Sequence, residues 1–150
     1  SAAKVAPAAW SAPGASVAPS ERAAPPREPA DPFWRPWSED ALADLRERGV
    51  PVFVDFTAAW CLSCQVNEAV ALNDAAVRAR FAELGVAALR ADWTAGDEAI
   101  GRALAALGRA SVPVYALYAP GSAAPLLLPE LLTPAIVLRF LERNIPSRRY

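Results

Sequence analysis

The sequence predicts an α/β domain in which helices flank a central mixed sheet of about four strands. The run VPVFVDFTA at 50–58 is a continuous stretch rich in β-branched and aromatic residues, which is typical of a strand buried on both faces. Strand and helix segments alternate after it, and this order favours parallel pairing. Two short strands around Pro120-Gly121-Ser122 predict an antiparallel hairpin at the sheet edge.

Capping residues mark the helix starts. Ser38 is a candidate N-cap for a first helix that stops at Gly49. Thr133 followed by Pro134 places a cap and then a proline where a closing helix begins, and this helix runs to about Arg143. The other predicted elements are a helix over 62–72, a helix from Asn73 or Asp74 through Phe81, a helix over 95–108, and strands at 86–93, 112–118 and 124–128.

Residues 1–36 are predicted to be a Pro/Ala-rich linker or tether. Eight of the 15 prolines lie there, and proline removes backbone donors and favours extended chain. The aromatic residues at 33–37 are too apolar for a pure spacer, so we expect them to pack at the domain edge. The folded domain is predicted over 37–145, and 146–150 is predicted to be a C-terminal tail.

Composition excludes several classes of protein. With 15 basic and 16 acidic residues the net charge is −1, which favours neither nucleic acid nor an anionic membrane surface. No apolar run approaches the roughly 20 residues of a membrane span. The sequence has no methionine at all, so we expect a processed product or a piece of a longer protein.

The only two cysteines, Cys61 and Cys64, lie together in TAAWCLSCQ. A structural zinc site needs about four Cys or His ligands, and the chain has no histidine, so no metal site is predicted. A copper(I) carrier and a structural disulfide remain alternatives, although so short a loop stabilises a fold little. A redox pair is favoured, because Cys61 would begin a helix where amide donors favour a thiolate, and Cys64 would follow one turn later.

The stretch VFVDFTAAWCLSC resembles the active-site strand and helix start of the thioredoxin superfamily. The resemblance includes Asp55 six residues before Cys61 and Trp60 immediately before it. It also places Val112 and Pro113 in the loop that holds a cis-proline in that superfamily. A thioredoxin-like fold is therefore expected.

Three further stretches are similar to one branch, the C-terminal periplasmic domain of DsbD-like and ScsB-like transmembrane reductases. They are Gln-Val-Asn-Glu after the cysteines, Ala-Asp-Trp-Thr at 91–94 and Leu-Pro-Glu at 128–130. The resemblance implies a periplasmic domain tethered to the inner membrane. It would carry electrons from a membrane-embedded cysteine pair to an N-terminal immunoglobulin-like domain of the same protein, and on to periplasmic disulfide proteins. A reductase dedicated to cytochrome c maturation remains an alternative, and no cofactor beyond the Cys61–Cys64 disulfide is expected.

Two carboxylates are candidates for tuning the cysteines. Asp55 sits between apolar neighbours and must be hydrogen-bonded, protonated or functional, since burying a bare charge is costly. We expect it to exchange a proton with Cys64. Glu68, one turn after Cys64, is either solvated or adds negative character that raises the pKa of Cys61.

The residues between and around the cysteines are expected to decide direction and partner contact. Leu62 and Ser63 bring no positive charge, and a poorly stabilised thiolate makes the pair a reductant rather than a strong oxidant. The residues expected to contact the partner are Trp60, Leu62, Ser63, Val112 and Pro113.

Overall fold

The computed structural model describes residues 31–147. The predicted linker up to residue 30 and the last three residues of the predicted tail lie outside this range. The strands are β1 (Arg35–Pro36), β2 (Val52–Thr57), β3 (Ala87–Asp92), β4 (Val114–Tyr118) and β5 (Leu126–Leu127). The helices are α1 (Glu39–Glu47), α2 (Leu62–Asn67), which continues as a π-helical segment (Glu68–Leu72), α3 (Ala75–Leu84), α4 (Glu98–Ala106) and α5 (Pro134–Asn144).

Strand β2 is central to a five-stranded mixed sheet with the order β1-β3-β2-β4-β5. β3 pairs in parallel with both β1 and β2, whereas β4 runs antiparallel to β2 and to β5. All six residues of β2 are buried, Asp55 and Thr57 included, as its β-branched and aromatic sequence predicts. The predicted α/β class, the parallel pairing and the antiparallel edge are confirmed.

Side chains alternate between the two faces of the sheet and build two cores. Phe53 and Tyr115 point to the face covered by α3, α5 and the π-helical segment. Val52, Val54 and Phe56 point to the opposite face, which α1 and α4 cover. Stacking helices on both faces explains why the central strand needs apolar side chains in both directions.

The N-terminal edge of the domain differs from the prediction. A fifth strand, β1, lies inside the stretch predicted to be linker, so the folded part begins before residue 37. Trp34 is the cause, because its ring is 6% exposed and packs 6.2 Å from the ring of Phe53, between centroids. The expected packing of the aromatic residues at the domain edge is therefore confirmed. Pro36 is tolerated in β1 because β1 is an edge strand.

The predicted helix caps are found with small changes at the ends. The Ser38 side chain accepts a hydrogen bond from the Ala41 amide, and Asp74 rather than Asn73 caps α3. α3 runs three residues beyond the predicted Phe81 and ends at Gly85, whose φ of +68° favours glycine. No helix within residues 31–147 is long and apolar enough to cross a membrane.

Candidate redox-active site

Cys61 and Cys64 form a disulfide at the start of α2, just beyond the end of β2. Cys61 is the N-cap of α2, and its sulfur accepts a hydrogen bond from the Cys64 amide at 3.2 Å. Cys61 is 7% exposed and Cys64 only 2%, so a reagent from solvent reaches Cys61 more readily. Both cysteines are thus buried, and Cys61 is the more accessible of the two.

An exposed apolar rim lies beside the disulfide. Trp60 is 57% exposed and Leu62 is 78% exposed, and Ser63 is exposed as well. The Trp60 indole donates to the Thr94 carbonyl at 3.2 Å, and the Thr94 hydroxyl accepts from the Ala59 amide at 2.8 Å. Thr94 thus fixes the Trp60 loop to the end of β3, and the rim remains open to another protein.

The loop before β4 borders the cysteines on another side. The Val112–Pro113 peptide bond is cis. Val112 is half-buried and packs against Ala58, Cys61 and Cys64. The structure therefore brings Val112 to the disulfide, while the expected roles of Val112 and Pro113 in partner contact stay predictions.

Asp55 is buried on β2 and paired with a residue that the sequence did not single out. The Arg90 Nε donates to Asp55 Oδ2 at 3.3 Å, and the Asp55 side chain is 3% exposed. Burial raises the pKa of Asp55 from 3.8 to about 7, even though the Arg90 charge acts in the opposite direction. Near neutral pH the protonated and the ionised forms of the Asp55 carboxyl group are therefore both populated, which is the condition for proton transfer.

Glu68 also contacts Arg90. The Arg90 Nη2 donates to Glu68 Oε1 at 3.0 Å, and the Glu68 side chain is 27% exposed. Glu68 is therefore partly exposed and ion-paired, and its effect on the cysteines stays a prediction. The negative charge of Glu68 contributes to the raised pKa of Asp55, although less than burial does.

Asn67 and Tyr115 form a second buried polar pair next to these carboxylates. The Asn67 amide donates to the Tyr115 hydroxyl at 2.9 Å and to the Glu130 carbonyl at 2.6 Å. It also accepts from the Leu132 amide at 3.0 Å. Burial raises the pKa of Tyr115 above its ordinary value, so this hydroxyl remains neutral. Asn67 thus ties the end of α2 to β4 and to the loop before α5.

The sequence offered signals for these missed residues. Arg90 interrupts an otherwise apolar strand, and a parallel register beside β2 places it directly opposite Asp55. Asn67 interrupts the buried face of α2 in the same way. A charged or polar side chain in a buried run needs a partner, and each of these two found one on a neighbouring element.

Clusters of metal-ligating side chains are absent from the part of the chain that the structure describes. Within residues 31–147 no group of three or more His, Cys, Asp or Glu side chains is arranged around a common point. The two sulfurs are bonded to each other, so in this state they offer no thiolate to a metal ion.

The thioredoxin-like family profile matches residues 33–120, which include β1 to β4 and both cysteines. The chain belongs to the thioredoxin-like family. Thiol:disulfide interchange protein DsbD 1 from Pseudomonas aeruginosa is 37% identical over 81 residues, which are 54% of this chain and 13% of that protein. Thiol:disulfide interchange protein DsbD from Ralstonia nicotianae is 44% identical over 66 residues, which are 44% of this chain and 10% of that protein. The matches thus span about a tenth of each relative.

Solved structures agree with this assignment of the fold. The oxidised C-terminal domain of Neisseria meningitidis DsbD superposes with a TM-score of 0.57 at 23% identity, covering 73% of this chain and 99% of that domain. A thioredoxin from Thermus thermophilus superposes with a TM-score of 0.58 at 22% identity, covering 73% of this chain and 84% of that protein. The expected resemblance to DsbD and the thioredoxin-like fold are confirmed.

Proposed function

We propose that this chain is a thiol-disulfide oxidoreductase that acts as a reductant and relays electrons to a periplasmic partner domain. The observation that carries the proposal is the Cys61–Cys64 disulfide at the N-terminus of α2, in which Cys61 is the less buried of the two cysteines. The DsbD relatives are thiol:disulfide interchange proteins by name, which supports the same chemistry here.

The exchange proceeds through two sulfur displacements. In the reduced protein the Cys61 thiolate attacks one sulfur of the partner's disulfide, forms a mixed disulfide and expels the other partner sulfur as a thiolate. The Cys64 thiol loses its proton and attacks the Cys61 sulfur, which restores the Cys61–Cys64 bond. The partner leaves with both sulfurs reduced by two electrons, and its two thiolates take their protons from the solvent.

Asp55 is the candidate acceptor of the proton that Cys64 loses. A carboxyl group whose pKa is about 7 accepts a proton near neutral pH and returns it when the dithiol is regenerated. The side chain lies on β2, in the strand that leads directly to the cysteine loop. This role requires the ionised form of Asp55 at the moment of attack.

The charges around the site favour the reducing direction. Leu62 and Ser63 carry no charge, so no cation between the cysteines stabilises a thiolate. Asp55 and Glu68 can each carry one negative charge, whereas Arg90 supplies one positive charge. The cluster is therefore net negative when both carboxylates are ionised. A thiolate that is weakly stabilised corresponds to a dithiol that gives up its electrons readily.

The exposed rim supports a protein as the electron acceptor. Trp60 and Leu62 present apolar surface beside the reactive sulfur, where a docked domain would cover it. We propose the N-terminal immunoglobulin-like domain of a full-length protein as this acceptor, a membrane-embedded cysteine pair as the donor, and a periplasmic location tethered to the inner membrane. These assignments rest on the likeness to DsbD, of which this chain spans only a small part.

A trapping experiment tests the proposal. The Cys64→Ala variant lacks the sulfur that resolves the mixed disulfide, so an adduct between Cys61 and the acceptor domain should accumulate. The Cys61→Ala variant is the matched control and should form no such adduct with an oxidised acceptor. If neither variant forms an adduct while both remain folded, the proposed exchange is wrong.

A further inference from the structure

Arg90 makes three contacts with its side chain, each to a different element. It lies on β3 directly beside Asp55 of β2, and its Nε and Nη2 reach Asp55 at 3.3 Å and Glu68 at 3.0 Å. Its guanidinium carbon lies 4.6 Å above the centre of the Trp34 ring. The Arg90 side chain is 23% exposed, so it is largely withdrawn from water.

We propose that Arg90 is a positioning residue for disulfide exchange, which joins Asp55 and Glu68 through one guanidinium and thereby keeps Asp55 able to ionise. This inference deepens the proposed function and rests on it for its link to exchange. It assigns no direct contact with the reacting sulfurs to Arg90.

The charge balance of the cluster explains why a cation is needed. Asp55 is buried and Glu68 is partly exposed beside it, so burial and the repulsion between the two carboxylates both favour the neutral acid of Asp55 unless a cation compensates. Burial raises the pKa of Asp55 most, Glu68 and Asp92 raise it further, and only Arg90 lowers it. Removing Arg90 would leave Asp55 protonated near neutral pH, where it could not accept a proton from Cys64.

The geometry favours arginine over lysine at this position. A guanidinium is planar and has several donors, so it can reach two carboxylates while one face stacks on an aromatic ring. Trp34, itself buried, supplies that ring from just before β1. A lysine would keep the positive charge but not the bridge or the stacking, so we expect it to restore the function only in part.

The other ionisable groups around Asp55 carry no positive charge. They are Asp92 on β3, Glu68 on the π-helical segment, Tyr115 on β4 and the cysteines on α2. Tyr115 stays neutral, and Asp92 and Glu68 act in the same direction as burial. No group among these replaces the positive charge of Arg90.

The first experiment follows the ionisation of Asp55 directly. In the oxidised protein, in which the cysteines do not titrate, the carboxyl carbon of Asp55 is followed by NMR from pH 4 to 10. We expect Arg90→Gln to raise the midpoint by at least about one pH unit and Glu68→Gln to lower it. The Arg90→Lys midpoint should lie between those of the wild type and Arg90→Gln. Arg46→Gln is the matched control, because it removes an arginine that stacks on the distant Tyr118. This variant should leave the Asp55 midpoint unchanged.

The second experiment links this ionisation to exchange. The reduced protein reacts with the oxidised acceptor domain in a single turnover, and the rate is measured against pH. If the midpoint rises by one unit from about 7, the ionised fraction of Asp55 at pH 7 falls about fivefold, and we expect the rate to fall by a similar factor. In an Asp55→Asn background, adding Arg90→Gln should change the rate less than twofold.

Different results would overturn different parts of the account. An unchanged midpoint in both Arg90→Gln and Glu68→Gln would contradict the bridge. If Arg90→Gln fails to fold, the other two variants decide. An Asp55 midpoint that is unchanged in both Glu68→Gln and Arg90→Lys would then contradict the bridge. An equal loss of rate with and without Asp55 would show that Arg90 does not act through Asp55. A wild-type protein with no exchange would refute the proposed function, while the titration would still decide the bridge.

Discussion

Replacing Asp55 with asparagine should change how the stability of the fold depends on pH. Asp55 is buried in β2, and its pKa rises from 3.8 in the unfolded chain to about 7 in the folded one. The native state therefore holds this proton more tightly than the unfolded state does between these two values. By linkage, Asp55 lowers the free energy of unfolding least at low pH. The free energy of unfolding then falls as the pH rises from about 4 to about 7.

The size of this effect follows from the two pKa values. The raised pKa of Asp55 lowers the free energy of unfolding by about 4 kcal/mol at pH 8 and by about 2 kcal/mol at pH 5, relative to a group whose pKa does not change on folding. Asparagine at 55 has no charge to ionise. Between pH 5 and pH 8 the wild type should therefore lose about 2 to 3 kcal/mol relative to Asp55→Asn.

Urea unfolding of the oxidised protein at a series of pH values measures this difference. The Asp44→Asn variant, which removes an exposed carboxylate paired with Arg48, is the matched control and should follow the wild type. The reasoning would be refuted if the stability curves of the wild type and Asp55→Asn ran parallel, or if the wild type gained on the variant as the pH rose.

Two further substitutions test the packing that positions the site. Trp34→Ala removes a buried ring from beneath Arg90 and should cost about 3 to 5 kcal/mol in urea unfolding, which would place β1 within the cooperative fold; a cost below about 1 kcal/mol would place β1 outside it. Asn67→Ala leaves the Tyr115 hydroxyl and two backbone groups without their partner and should cost about 2 to 4 kcal/mol. Hydrogen exchange should then quicken at the Leu132 amide, whereas unchanged protection there would contradict the tie that Asn67 makes.

The fold was largely predictable because its main signals are local. The apolar run of β2, the caps at Ser38 and Thr133, and the glycine ends each depend on a few neighbouring residues. The first strand was missed because the prolines before it favour extended linker, and only the tertiary packing of Trp34 draws this part of the chain into the domain.

The candidate site was predictable only in part for the same physical reason. The spacing of Cys61 and Cys64 and the charge inside a buried strand are visible in the sequence. Asp55 and Arg90 are 35 positions apart in the sequence, and their pairing depends on the register between β2 and β3. The contact between Arg90 and Glu68 depends on the position of the π-helical segment in the folded domain. Such long-range contacts leave no local pattern.

The central claim is that Cys61 and Cys64 form and break one bond to carry two electrons. The most direct measurement is the fraction of this disulfide at equilibrium in buffers of defined glutathione or dithiothreitol potential, read by mass after thiol labelling. We expect a single reversible two-electron transition below about −200 mV, on the side of thioredoxin. A bond that neither forms nor breaks across the range, or a transition near −120 mV as for a strong oxidant, would contradict the account.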